Sequence, residues 1–342
     1  MEEVQKILND IKNGNLKPIY FLMGEEAFYI DLISDYIEEN VLSEEERGFN
    51  QTVLYGRDVK LDEVLGAAKR YPMMAEYQVV IVKEAQDLAR EINATPEKGQ
   101  NQLAAYAQNP QPTTILVFAF KYKKLAKNKK VYKAIAQNGF VYESKRIYED
   151  KMGDWIRRAM KSRNYQITPK AAQMLVEFLG TDLSKVNNEL KKLQLILPEG
   201  TNITPEHIKV NIGISKDFNN FELRKAIGEK DRLKAFRIIQ YFAQNPKDNP
   251  LVLTIAQLFS YFKNVLVYHG LPSKDKFSAA KALGVNPYFV TEYITAAQNY
   301  PMRTTSNIIG LIREADVKGK GVGAYNLPQG DILKELLVKI MG

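Results

Sequence analysis

The sequence predicts a doubly wound α/β domain with a parallel sheet over residues 1–142 and an all-α remainder, and three observations carry that prediction. In the first 142 residues short runs rich in Val, Ile and Phe alternate with amphipathic helical segments, the pattern of β-α-β units. From residue 143 onward apolar positions recur at helical spacing and the breaks fall at Gly and Pro. At 342 residues the chain exceeds one ordinary core, so two or three domains are expected.

Taken in order, residues 2–13 read as a short helix closed by the turn Asn13-Gly14-Asn15. PIYFLMG, residues 18–24, reads as a buried strand ending at a glycine, and Glu25-Glu26-Ala27-Phe28 opens a helix that runs to about Asn40. Strand, glycine, helix is the arrangement that carries a phosphate-binding loop. Such a loop needs G-x-x-x-x-G-K-[ST], so that backbone amides cradle phosphates while the lysine and hydroxyl reach the terminal phosphate and Mg²⁺. Here Gly24 is followed by Glu25 and Glu26, with no GK[ST]. Two carboxylates at a helix N-terminus satisfy its dipole and repel a triphosphate. The segment is a nucleotide-site arrangement that does not bind nucleotide.

FNQTVLY, residues 49–55, reads as the second strand, and residues 61–70 form an amphipathic helix with Leu61, Val64, Leu65 and Ala68 on one face. Tyr71-Pro72 ends it, because the residue before proline is pushed out of the α region. Met73 and Met74 follow, just ahead of the third strand Gln78–Val82. By residue type the core is the favoured place for both, although a flexible thioether also makes adaptable contacts at binding surfaces. The third strand runs into Lys83-Glu84, where a Walker B strand ends in Asp-Glu; a cation at the Asp position cannot ligate a metal. TTILVFAF, residues 113–120, is a fourth strand and Phe140–Tyr142 a short fifth. Helices follow at about 148–163, at 168–179 after the N-cap Thr168-Pro169, at 182–197 and after Thr204-Pro205-Glu206. Residues 218–342 read as helical throughout, with breaks at Gly228, Asn245-Pro246, Gly270-Leu271-Pro272, Gly284, Tyr300-Pro301 and Gly319–Gly323.

Composition narrows the chemistry. The chain has no cysteine and two histidines, His207 and His269, which excludes thiol catalysis and cysteine-held metals and argues against a His-rich metal site. No cofactor and no catalytic residue is expected. There is no run of about 18 apolar residues and no signal peptide, so a cytoplasmic location without membrane contact is the expectation. The net charge of +8 is uneven: residues 1–100 hold 11 Lys and Arg against 20 Asp and Glu, and the rest hold 37 against 20. A polyanion would meet the later part of the chain, a protein partner the earlier part.

PIYFLMGEE, then FNQTVLYGRDVKLDEVLGAAKRYPMMAEYQVVIVKEA and TTILVFAFKYKKL resemble the N-terminal domain of the delta subunits of bacterial DNA polymerase III, and the likeness continues through FLGTDLSKVNNELKKLQLI and LGVNPYFVTEYITAAQNY. The resemblance implies an AAA+-like α/β domain over 1–142 that has lost ATP binding, a small helical lid over 143–212 and a helical collar over 213–342. It implies a non-catalytic clamp-loader subunit whose partners are the sliding clamp (beta), the gamma/tau ATPase subunits, delta-prime and primed DNA. It places the clamp-binding pair at Met73 and Met74, flanked by Tyr71 and Pro72, where the family often shows leucine and phenylalanine. The lid offers Lys185 where ATPases carry a sensor arginine. Two other readings differ in class. A true AAA+ ATPase is opposed by the missing GK[ST]. A delta-prime-like brace is opposed by the absence of cysteine and by Glu143-Ser144-Lys145-Arg146, where that relative carries Ser-Arg-Cys.

Other motifs have plainer readings. Gly319–Ala324 fits G-x-G-x-x-[GA] but follows a helix, so it reads as a loop. Gln257-Leu258-Phe259 resembles part of a clamp-binding peptide but lies inside an apolar helix, which favours packing. The stretch 121–133, KYKKLAKNKKVYK, holds seven lysines in thirteen residues. It is either a solvated face or a phosphate-contacting patch formed by Lys121, Lys123, Lys124, Lys127, Lys129 and Lys130. Tyr325 is a candidate for stacking on a base.

Overall fold

A computed structural model describes residues 2–94, 101–212, 218–323 and 327–342, and the chain divides into two units, Met1–Ile147 and Tyr148–Gly342. The first unit runs α1 Glu2–Lys12, β1 Ile19–Gly24, α2 Ala27–Asn40, α3 Glu44–Asn50, β2 Gln51–Tyr55, α4 Leu61–Ala68, β3 Gln78–Lys83, α5 Ala89–Ile92, α6 Gln102–Gln108, β4 Thr114–Lys121, α7 Lys130–Asn138 and β5 Phe140–Ser144. Its five strands pair in the order β2-β3-β4-β1-β5, every neighbouring pair parallel. Parallel strands need crossover connections, which put helices on both faces of the sheet. The central strands β1, β3 and β4 are accordingly buried almost throughout. Phe21, Phe118 and Phe120 meet in one core with Leu61, Val64 and Val80, and the Phe21 and Phe118 ring centroids lie 5.5 Å apart.

One boundary differs from expectation. Residues 49 and 50 were expected in the second strand, yet they close α3, because Ser43 and Glu46 form a capping box: the Glu46 N–H donates to Ser43 Oγ at 3.4 Å and the Ser43 N–H to Glu46 Oε2 at 2.9 Å. A helix nucleated there runs to Asn50, and β2 starts at Gln51.

The second unit comprises α8 Glu149–Lys161, β6 Gln166–Ile167, α9 Pro169–Leu179, α10 Leu183–Ile196, β7 Asn202–Ile203, α11 Pro205–Ile212, α12 Asn220–Gly228, α13 Arg232–Gln244, α14 Leu251–His269, α15 Lys276–Leu283, α16 Val290–Asn299, α17 Met302–Gly319 and α18 Gln329–Met341. The breaks between its later helices fall where Gly and Pro were read. The two-residue strands β6 and β7 pair in parallel through Ile167 and Ile203 and were not foreseen, being too short for any periodicity. Trp155, the sole tryptophan, is buried on α8. Helices α12 to α18 share one core. α14 has the length and apolar composition of a membrane span, but Leu251, Ile255, Leu258, Phe262 and Val265 are buried in that core. Leu258 therefore packs, as the helical reading of Gln257-Leu258-Phe259 favoured, and Gln257 accepts a hydrogen bond from Arg224 Nη1 at 2.8 Å. His207 Nδ1 accepts from the Thr204 N–H at 3.1 Å, and His269 Nε2 lies 2.9 Å from the Tyr300 carbonyl.

Glu177 and Glu222, the buried acids among the described residues of this unit, are paired. Arg224 on α12 reaches Glu177 on α9 at 2.6 Å, and Glu222 is held between Lys170 and Lys234 at 2.5 Å each. Unpaired, such groups would destabilise by several kcal/mol; paired, they fix which faces of α9, α12 and α13 meet. Glu292 on α16 has no such match. Burial pushes its pKa up to about 7, with Glu222 and Glu177 adding to the rise and Arg224 and Lys225 opposing it. Its carboxyl ionises at an ordinary 4.5 in the unfolded chain, so ionisation is harder in the folded state. Stability of this unit should therefore fall as pH rises from about 4.5 and level off above about 7. Glu292→Gln should remove that slope and raise stability at pH 8 by about 1–3 kcal/mol. Urea unfolding followed by Trp155 fluorescence at pH 5 and pH 8 checks it; an unchanged slope in the variant refutes it.

Candidate functional site

In open α/β sheets ligands meet the carboxyl ends of the strands where the strand order reverses. Here β1 lies between β4 and β5, and the edge is formed by Gly24, Lys83, Lys121 and Ser144. Gly24 adopts φ +131°, and a Cβ built on it would stand 2.0 Å from the Ser144 carbonyl oxygen, so only glycine fits. The turn is filled by the protein itself. The Glu25 N–H donates to the Ser144 carbonyl at 3.0 Å and the Glu26 N–H to Ser144 Oγ at 3.1 Å. The Phe28 N–H donates to Glu26 Oε1 at 3.3 Å, capping α2. The amides that would cradle a phosphate are thus bonded to β5 and to a carboxylate.

The charges beyond the turn are matched in the same way. Lys121 Nζ lies 2.8 Å from Asp31 and 2.7 Å from Glu84. Lys83 Nζ lies 2.8 Å from Glu38 and 3.4 Å from Asp35. Burial opposes the charge on both lysines, but the facing carboxylates outweigh it and raise both pKa values. The Glu84 pKa is lowered by the hydrogen bond from Lys121 and then by that from Gln86. Two ammonium groups occupy the neighbourhood where a Walker B carboxylate would hold Mg²⁺, and among the described residues no group of acidic or histidine side chains is arranged to hold a metal.

The second feature is the irregular loop of residues 71–77 between α4 and β3. Tyr71, Met73 and Met74 are exposed, Met74 completely at 105%; Pro72 is half-buried. Met74 also adopts φ +53°, the left-handed region that a side chain with a Cβ disfavours by about 1–2 kcal/mol. The loop's ends are tied down. Gln78 is buried, and its amide nitrogen lies 3.3 Å from the Ala67 carbonyl and 2.7 Å from Thr114 Oγ1, with Arg70 a further acceptor. Asn50 holds the middle: its Oδ1 accepts from the Met73 N–H at 2.6 Å and its Nδ2 donates to the Met73 carbonyl at 2.9 Å. The readings of residue type singled out neither Gln78 nor Asn50. A polar residue opening an apolar run was a visible signal for Gln78, whereas Asn50 acts 23 residues from its partner and carried none. Phe49 beside it, expected in a strand, is 77% exposed.

The lysine stretch separates into two groups. Lys121 sits in the ion pairs above, and Lys124 Nζ lies 3.2 Å from Glu25 and 3.0 Å from Glu143. Lys123 donates to the Gln86 carbonyl at 3.1 Å. Lys123, Lys127, Lys129 and Lys130 are exposed, Lys127 with its Nζ 3.9 Å from Glu143, and so is Tyr122 at φ +59°. Tyr325 and Ala324 lie outside the described residues.

Comparison with known proteins bears on both features. Residues 20–145 match the family described as DNA polymerase III, delta subunit. The chain is 26% identical over 337 residues to the DNA polymerase III subunit delta of Bacillus subtilis, covering 98% of this chain and 94% of that protein. It is 20% identical over 224 residues to the probable delta subunit of Aquifex aeolicus, covering 65% of this chain and 62% of that one. The solved Bacillus subtilis DNA clamp loader delta protein (YqeN) superposes with a TM-score of 0.56 at 23% identity, with 99% of each chain covered. The chain therefore shares the fold of that protein.

Lys121→Met should lower the stability of the first unit by about 1 kcal/mol at pH 7, after allowance for solvent screening, because Asp31 and Glu84 are then left facing each other. Glu84 is the depressed carboxylate of the two, through the hydrogen bond from Lys121, whereas burial raises Asp31; a depressed carboxylate contributes above its unfolded pKa and loses that contribution as pH falls through its folded value. The gap between wild type and variant should therefore close below about pH 4. Urea titrations at pH 7 and pH 3 followed by circular dichroism check both parts, and a gap that persists at pH 3 would contradict the assignment.

Proposed function

We propose that this chain, which matches the DNA polymerase III delta-subunit model over residues 20–145 and is similar to a delta subunit along nearly its whole length, grips the sliding clamp through Met73 and Met74 and opens its ring for loading on primed DNA. The observation that carries this reading is Met74, which combines a left-handed backbone with complete exposure. Both features are unfavourable in the free chain, and no packing within it offsets them. Glycine at this position would relieve the backbone, so the side chain itself is what the position retains. Buried in an apolar pocket of a partner, each methionine contributes about 1.5–3 kcal/mol, and its flexible thioether adapts to the pocket. Tyr71 and Pro72 flank the pair.

Opening follows from differential binding: a subunit that binds the open clamp more tightly than the closed one shifts the equilibrium by that difference. In this reading the chain hydrolyses no ATP. The occupied turn at Gly24–Glu26 and the ammonium groups of Lys83 and Lys121 support that, since a triphosphate and its Mg²⁺ would have to displace them. Energy then comes from the gamma/tau ATPase subunits, with delta-prime completing the ring. Residues 143–212 act as the lid and 213–342 as the collar that holds the subunits together. The exposed lysines Lys123, Lys127, Lys129 and Lys130 contact the DNA backbone, while Lys121 and Lys124 serve mainly to neutralise Asp31, Glu84, Glu25 and Glu143. A cytoplasmic location accords with this role.

Met73→Ala combined with Met74→Ala should weaken binding to the cognate sliding clamp roughly a hundredfold without changing the thermal midpoint by more than a degree or so. A pull-down and a titration against labelled clamp read both. Equal affinity of the two proteins would reject the docking site.

A further inference from the structure

We propose that Asn50 is the positioning residue of the docking loop: its carboxamide fixes the Met73 peptide so that Met73 and Met74 are presented in one conformation before any partner arrives. The proposal rests on the reading that these methionines meet the sliding clamp. Asn50 is 5% exposed at the end of α3, a helix set by the Ser43 and Glu46 capping box. Its Nδ2 also lies 3.2 Å from the Glu46 carbonyl, so the carboxamide is held from its own helix as well. It then bonds both the N–H and the C=O of Met73, as a neighbouring strand would. Two bonds to one residue fix the plane and direction of the chain there, and the next residue is Met74 at φ +53°. The left-handed turn is therefore held in place from α3.

The chemistry explains the residue type. Only a carboxamide of this length offers one donor and one acceptor side by side; aspartate has no donor, and leucine, of similar size, has neither. Without the clasp the exposed loop must be ordered at the moment of binding, and that ordering opposes association. Asn50 touches no partner in this scheme. It acts through the backbone of Met73, and its removal should chiefly raise the dissociation rate.

The test is a mutant cycle on the full-length chain against immobilised sliding clamp, with thermal midpoints measured in parallel. Asn50→Ala should weaken binding roughly tenfold, and Asn50→Asp, which keeps the size and the acceptor but turns a buried carboxylate oxygen toward the Met73 and Glu46 carbonyls, should weaken it at least as much. In the Met73→Ala plus Met74→Ala background, Asn50→Ala should produce no further loss, because there is no longer a side-chain pair to position. If Asn50→Ala binds like wild type while the methionine variant does not, the proposal is overturned and the docking site stands. A loss of equal size in both backgrounds overturns it too, since Asn50 would then act elsewhere. If the methionine variant itself binds normally, the docking reading fails first. Should Asn50→Ala unfold, the same cycle run with Asn50→Asp decides between these outcomes.

Discussion

The carboxyl edge of the sheet is governed by how closely β5 approaches the turn after β1. Ser144 lies so near Gly24 that no side chain fits between them, and from that distance it takes up the amides of Glu25 and Glu26. A phosphate loop works because its amides are free and point at a ligand. Once a neighbouring strand satisfies them, the helix that follows still starts in the same place, but the crevice has become an internal joint. The carboxylates of Glu25 and Glu26 are then tolerable at the α2 N-terminus, since no anion has to share it.

The charge pattern around the joint follows the same logic. Lys121 and Lys83 stand among Asp31, Asp35, Glu38 and Glu84, acids from α2 and from the end of β3. In a nucleotide-binding relative of this fold, some of that negative charge would be met by a divalent ion; here ammonium groups on the strand ends meet it.

Much of this was legible in the residues, and the limits have physical causes. Strands buried on both faces announce themselves as unbroken apolar runs, and the helix breaks after residue 218 coincide with Gly and Pro because backbone chemistry is local. The missing GK[ST] and Lys83 were equally plain. Phe49 and Asn50 were assigned to a strand, although Ser43 and Glu46 stand at capping-box spacing; the apolar character of FNQTVLY outweighed a local signal that in fact decides the boundary. For the methionines, residue type favoured the core, and only the family resemblance favoured exposure. The lysine stretch read as a single unit, a solvated face or a phosphate-contacting patch, because its neutralising partners, Asp31, Glu25 and Glu143, come from α2, from the turn before it and from β5. Contacts of that range leave no periodic trace.

Met73 and Met74 stand in the open, and that has a chemical side. A thioether in free contact with solvent is readily oxidised to the sulfoxide, which is polar, chiral and no longer suited to an apolar pocket. Leucine or phenylalanine in the same positions has no such chemistry. On the proposed docking, oxidation of either thioether would weaken the contact, which ties that contact to the redox state of its surroundings.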